Sequence, residues 1–221
     1  MKKTEMQGVY RDKKQIFTEN LESSKGIKAY NERIVKQKNK EYRSWNPYRS
    51  KLAAAILNNF EFDLNKDSKV LYLGAATGTT ASHISDIARN GIIYAVEMAP
   101  ISMKKLLEIS KKRENLIPIL ANANHPDRYN TIVPQVDLVY QDISQRNQAE
   151  IFISNVKTYL KKNGSGILMV KARSIDISLN PEEVYDKICS KMKKEELKIL
   201  KIINLSPFEK DHVAISVSVL E

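Results

Sequence analysis

From residue 52 onward the apolar positions switch repeatedly between two spacings. In RSKLAAAILNNF, Leu52, Ala55 and Ile56 recur at helical spacing, and three consecutive alanines add helix propensity. KVLYLG is a short apolar run of strand type. It is followed by TTASHISDIAR, where Ile84, Ile87 and Ala88 share a helix face. GIIYAVEM predicts a strand, SMKKLLEISKK a helix, and LIPILA and VDLVYQD two further strands. QAEIFISNVKTYL sets Ala149, Phe152, Ile153, Val156 and Leu160 on one side of a helix, and SGILMVKA is again a strand. PEEVYDKICSKMKK is a helix with Pro181 near its first turn and Val184, Ile188 and Met192 four residues apart. KILKIINL and HVAISVSVL close the series as strands.

Strands alternating with helices imply an α/β fold with a mostly parallel sheet covered on both faces. The last two strands are separated only by the loop NLSPFEKD, so they are expected to pair as a hairpin, giving one antiparallel strand at the sheet edge. Residues 1–48 carry no helical period. Their short, polar-interrupted stretches GVYRD, QIFTEN, GIKAYNE and EYRSW predict a small β-rich domain, with Gly8 and Gly26 beside them. The expected division is 1–48 for this appendage and 49–221 for the α/β domain.

Charge adds a partner to this picture. Residues 1–51 hold 14 Lys and Arg against 6 Asp and Glu, a net of +8, whereas residues 52–221 hold 22 against 20, a net of +2. Such asymmetry favours a polyanionic partner, most simply nucleic acid. Cys189 is the single cysteine and sits in a helical pattern, so a buried structural thiol is expected, and no Cys/His spacing suits a metal. No apolar run has membrane length, and MKKTEMQGVYRDKK lacks the apolar core of a secretory signal; an intracellular, cytoplasmic protein is expected.

The chemistry concentrates at strand ends. The strand VLYL runs into Gly74-Ala75-Ala76-Thr77-Gly78-Thr79-Thr80, where small residues let a ligand approach the backbone and Thr79 or Thr80 can cap the helix or donate from its first turn. The next strand ends in Glu97, about 20 positions on, where an acid accepts hydrogen bonds from ribose hydroxyls. Loop and acid together read as a site for an adenosine-containing ligand. The loop is not G-x-G-x-x-G and no Walker-type loop is present, which disfavours nicotinamide, flavin and ATP and leaves S-adenosylmethionine in front. Seven strands of this kind match the Rossmann-like methyltransferase architecture.

Several longer stretches are more specific. YRSWNPYRSKLAAAIL (42–57), VLYLGAATGTT (70–80), YQDISQRNQAE (140–150), VKARSID (170–176) and PFEKDH (207–212) closely resemble, in order, the signature of archaeal fibrillarin. The resemblance implies a ribose 2′-O-methyltransferase that uses S-adenosylmethionine. It implies work within a C/D box ribonucleoprotein, where a guide RNA selects nucleotides in ribosomal or transfer RNA beside a Nop-type scaffold and a kink-turn-binding protein. It implies a catalytic set of Lys51, Asp142, Lys171 and His212. Thr79 and Thr80 match the turn beside the methionine moiety, with Gly74 in the same loop. Glu97 matches the ribose acceptor, Met98 lies next to the adenine, and Asp142, Ile143, Ser144 and Gln145 match the segment after the fourth strand. Near the adenine the family usually has Asp-Ala; here Asn122-Ala123 stands, and an amide oxygen still accepts from the adenine amino group.

In that chemistry a 2′-oxygen displaces a neutral thioether from a methyl carbon, so alignment and proton removal are what the protein supplies. Lys171 is the candidate nearest the hydroxyl, as base or as charged donor to the developing alkoxide. Partial burial and Lys51 favour the first role; Asp142 orients, and His212 steadies the network or relays a proton. His83 and His125 are read as non-catalytic, and Arg173 and Lys210 as phosphate contacts or exposed charges. Two other functions compete. A base methyltransferase wants an Asn/Asp-Pro-Pro-Tyr/Phe motif after the fourth strand, where this chain has Tyr140-Gln141-Asp142-Ile143. A non-enzymatic RNA-binding subunit has no need to retain all four catalytic residue types.

Overall fold

The computed structural model describes residues 1–220. Strands β1 (Lys2–Lys3), β2 (Val9–Asp12), β3 (Gln15–Glu19), β4 (Ile34–Gln37) and β5 (Lys40–Trp45) form an antiparallel sheet in the order β1-β2-β3-β5-β4. The stretch GIKAYNE is not one of them. The Glu32 carboxylate is buried and accepts the backbone N–H groups of Ala29 and Tyr30, which turns the chain there, and the strand forms just after it at Ile34–Gln37.

The remainder alternates as read from the pattern, except that Leu160 opens a strand instead of ending a helix and a short helix α5 is added: α1 (Lys51–Leu57), β6 (Lys69–Leu73), α2 (Thr79–Ile87), β7 (Ile92–Glu97), α3 (Pro100–Ser110), β8 (Leu116–Leu120), β9 (Val136–Gln141), α4 (Gln148–Tyr159), β10 (Leu160–Lys171), α5 (Ala172–Ile175), α6 (Pro181–Lys194), β11 (Leu197–Asn204) and β12 (His212–Val219). The seven strands order as β11-β12-β10-β9-β6-β7-β8. β8, β7, β6, β9 and β10 run parallel to one another, and the expected hairpin forms at one edge. Its second strand, β12, slots inside, antiparallel to both β10 and β11.

Period-two alternation explains both faces of the sheet. Val70, Tyr72, Ile93 and Ala95 pack with α1, α2 and α3 residues such as Leu52, Ile84 and Leu106. Leu71, Leu73, Tyr94 and Val96 belong to the opposite core, with Phe152 and Val156 of α4 and Val184 and Ile188 of α6. Asn180 caps α6 by accepting the Glu183 N–H and donates back to that carboxylate, a reciprocal box followed by Pro181. Cys189 lies buried on the inner face of α6, and burial pushes its thiol pKa up. Among the described residues no helix is long and apolar enough to cross a membrane.

The N-terminal sheet is keyed to α2 by buried polar groups. Arg43, fully buried, binds Glu32 at 2.8 Å and Asp86 at 2.7 Å, and Arg113 reaches the other oxygen of Asp86 at 2.6 Å. Thr18 donates to Asp86. His83 contacts Thr18 and Tyr30 and stacks on Trp45 at 4.8 Å, so it serves the interface between the sheets.

Candidate active site

The strand order reverses between β6 and β9, because β7 and β8 continue on one side of β6 while β9 and β10 lie on the other. Ligands of open α/β sheets sit beyond the carboxyl ends of strands at such a point. The loops that leave β6 and β9 touch there. Gly74 has φ +80°, and a Cβ on it would lie 2.7 Å from the Asp142 carbonyl oxygen, so glycine is required for this close approach.

Beside these loops lies a cleft of about 260 Å³. Of the residues expected at a cofactor, Gly74, Glu97, Met98, Asn122, Ala123, Asp142, Ile143, Ser144 and Gln145 line it. Glu97 accepts the Ala76 N–H at 2.8 Å on one oxygen and the Ala99 N–H at 2.7 Å on the other. Asn122 Oδ1 accepts from the backbone and side chain of Asn124. Gln145 reaches across the mouth to the Met98 sulfur, 3.6 Å away.

Thr79 and Thr80 do not line the cleft. Gly78, at φ +88°, is the N-cap of α2, so no threonine hydroxyl caps the helix, and Thr79 is its first residue. Thr79 faces a different groove. The Thr80 hydroxyl is buried against Ser50 Oγ at 2.9 Å. Ser50 caps α1, accepting from the Ala53 N–H, so the starts of α1 and α2 are tied together immediately before Lys51.

The four expected catalytic residues converge at the same end of the sheet. The Lys51 ammonium donates to Asp142 Oδ1 at 2.7 Å, with both side chains largely covered. Lys171 and His212 are Cα partners at the end of β10 and the start of β12. The antiparallel insertion of β12 is what sets them side by side. Lys171 is exposed rather than partly buried. His212 is buried, and its Nδ1 lies 2.5 Å from the Lys210 carbonyl oxygen. A carbonyl only accepts, so Nδ1 carries the hydrogen and the neutral ring keeps its lone pair at Nε2. Burial lowers the His212 pKa, the Lys210 carbonyl opposes this, and the Lys51 charge lowers it further. Arg173 pairs with Asp211 at 2.5 Å, which occupies one of the two flanking cations.

Residues that the sequence reading passed over complete the site. Val96, Ala121 and Ile151 add walls to the cleft, beside Ala76 of the loop already expected there. Val96 and Ala121 stand at strand ends, the one signal that pointed to them. Gln148, fully buried, accepts the Lys171 N–H at 3.4 Å and the Gln141 side-chain amide through its backbone carbonyl, joining α4 to the ends of β9 and β10. A polar residue at the start of an amphipathic helix gives no sign of that role.

Fold and site together define a methyltransferase of the Rossmann-like class. The fibrillarin family model matches residues 1–220. The chain is 48% identical over 201 residues to the fibrillarin-like rRNA/tRNA 2′-O-methyltransferase of Methanocaldococcus jannaschii, covering 90% of this chain and 86% of that relative. It superposes on the fibrillarin of a fibrillarin/Nop5p complex with a TM-score of 0.90 and 44% identity, over 99% of this chain and 100% of the other. Against Aeropyrum pernix fibrillarin with natively bound S-adenosyl-L-methionine the TM-score is 0.85 at 41% identity, over 92% and 88%. The chain belongs to the fibrillarin family.

Proposed function

We propose that this chain transfers the methyl group of S-adenosylmethionine to ribose 2′-oxygens of ribosomal and transfer RNA. On this reading a C/D box guide RNA selects the nucleotide, in an archaeal-type particle that also holds a Nop-type scaffold and a kink-turn-binding protein. The relative's name supports the RNA substrates, and the fibrillarin/Nop5p complex supports the scaffold. Residues 1–48 form the appended unit and 49–221 the catalytic one.

The donor set of the cleft fits the cofactor. Glu97 already accepts two N–H groups, and a carboxylate has about four lone-pair sites, so capacity remains for ribose hydroxyls. Met98, Ala121 and Ile151 offer apolar walls to an adenine, with the Asn122 amide at its edge. Gly74 and Asp142 through Gln145 hold the methionine end. Bound there, S-adenosylmethionine supplies a methyl on a sulfonium, whose sulfur leaves as a neutral thioether.

The observation that carries the reading is the Lys51–Asp142 ion pair standing at the same sheet end as the Lys171–His212 strand pair. Asp142, held by Lys51 and by its own N–H to the Leu73 carbonyl, orients the set. Lys171 meets the 2′-hydroxyl, as base or as donor to the developing alkoxide. His212 is kept neutral by burial and presents Nε2 as an acceptor for the departing proton. Alignment supplies ~7–11 kcal/mol in favourable cases, and a positioned acid or base a further factor of ~10²–10⁴. The test is to incubate the protein with methyl-labelled S-adenosylmethionine and a guide–target RNA pair, with and without the two partner proteins, and to map the label. Label on a base or on protein, or none in the complete mixture, overturns the reading.

A further inference from the structure

Between the N-terminal sheet and α3 runs a groove that the catalytic reading leaves unused. One wall is the loop 24–31 together with Arg49, the other is the outer face of α3, and Thr77 and Thr79 lie along it. Four cations line it: Lys28, Arg49, Lys105 and Lys112. None of the four forms an ion pair among the described residues. Glu108 is the single acid in the lining, and the one other cation there, Arg113, is already committed to Asp86. The Arg49 guanidinium lies over the Tyr30 ring, 5.5 Å from its centroid, and the residue is exposed.

Two stretches of chain run from the groove directly into the active site. Arg49 stands two residues before Lys51, and Thr77 directly follows Ala76, which lines the cofactor cleft. A nucleotide that offers its 2′-oxygen at the Lys51–Asp142 pair has neighbours on both sides, and each brings a phosphate that must leave over some surface. We propose that this groove binds the RNA sugar–phosphate backbone running away from the methylated nucleotide, with Lys28, Arg49, Lys105 and Lys112 as its phosphate contacts. The inference rests on the RNA substrate proposed above, and it gives the N-terminal unit a part in holding RNA, because the loop between its strands β3 and β4 supplies one of the two walls.

The test compares two triple charge reversals of the full chain. Lys28→Glu with Lys105→Glu and Lys112→Glu alters the groove. Lys187→Glu with Lys194→Glu and Lys198→Glu makes the same change of net charge on α6 and β11. Fluorescence anisotropy with a labelled guide–target RNA duplex, from low to moderate salt, reads affinity, and calorimetry with S-adenosylmethionine reads the cofactor site. The groove variant is expected to lose about tenfold or more in RNA affinity and to flatten the salt dependence by ~2–3 in log–log slope. The distant variant stays within about threefold of wild type, and both keep wild-type cofactor affinity and melting temperature. Equal losses in the two variants, or no loss in the groove variant, overturn the proposal. Loss of binding to the scaffold protein with RNA affinity intact overturns it too, in favour of an acidic protein partner. If wild type places no methyl on RNA yet the groove variant alone loses RNA affinity, the groove stands and the activity assignment falls.

Discussion

At Glu97 two backbone amides converge on one carboxylate, so this side chain shapes the Ala76 turn as well as the cleft. Hydrogen bonds to a charged group contribute ~1.5–3 kcal/mol each. Glu97→Ala is therefore expected to weaken S-adenosylmethionine binding tenfold or more in calorimetry while RNA association changes little; unchanged cofactor affinity removes Glu97 from the ribose site. At Lys171 the expectation is the converse. Lys171→Ala lowers single-turnover methyl transfer by roughly 10²–10⁴ at saturating cofactor, and cofactor affinity stays near wild type. Lys171→Arg is nearly as poor, because guanidinium is no base and its planar fork fits differently. A rate within about threefold of wild type makes Lys171 an ordinary surface lysine. These residues were legible in the sequence because strand ends announce themselves by where an apolar run stops. Ser50 and Gln148, which hold Lys51 and the end of β10, were not, since their partners lie 30 and 23 residues away and only the fold brings them together.

Among the elements, α2 carries the acid-sensitive contact. His83 is fully enclosed on it; burial pushes its pKa well below the usual range, and the Arg43 and Arg113 charges push the same way. In the unfolded chain the ring titrates at its ordinary value of about 6.5. Below that pH the unfolded state binds a proton that the folded state refuses, so stability falls as pH falls, by up to ~1.4 kcal/mol per pH unit for one proton. His212, also lowered, adds to the same window. Burial alone would raise the Asp86 pKa, but Arg113 and Arg43 outweigh it and hold the carboxyl low, so its contribution is lost only in more acid solution, below the carboxylate range. The melting temperature is expected to drop between pH 7 and 5, and His83→Gln to flatten that drop; a slope identical to wild type shows that His83 is not the group responsible. Apart from the short α5, the helices and the seven strands of the large sheet followed from their periods because each buries a continuous face. β4 did not, because a buried carboxylate bends the chain before it, and a lone glutamate in sequence looks like any surface acid.

For the molecule as a whole, the two sheets are joined through Arg43. Replacing it with methionine strands Glu32, and leaves Asp86 with one guanidinium instead of two. Breaking a buried pair in this way costs ~3–5 kcal/mol, so Arg43→Met is expected to lower the midpoint of chemical denaturation markedly. A midpoint within experimental scatter of wild type shows that the junction is held by apolar packing alone. The same residue marks a limit of reading charge from sequence. The +8 of residues 1–51 pointed to a polyanion, yet Arg43 is one of its 14 cations and is wholly internal, while two of the four groove cations, Lys105 and Lys112, come from α3 and the turn after it, outside that segment. Composition located the excess; only the fold sorts which charges face a partner.

The insertion of β12 between β10 and β11 has a consequence for the order of the parts along the chain. Every residue that lines the cleft lies at or before Ile151 in the chain, and so do Lys51 and Asp142. β11 precedes β12 in the chain yet lies outside it, so the place beside β10 belongs to residues 212–219. His212 opens that strand. The means to hold the cofactor is therefore written into the chain ahead of the means to use it, and the strand that seals the sheet is also the one that brings the histidine to Lys171.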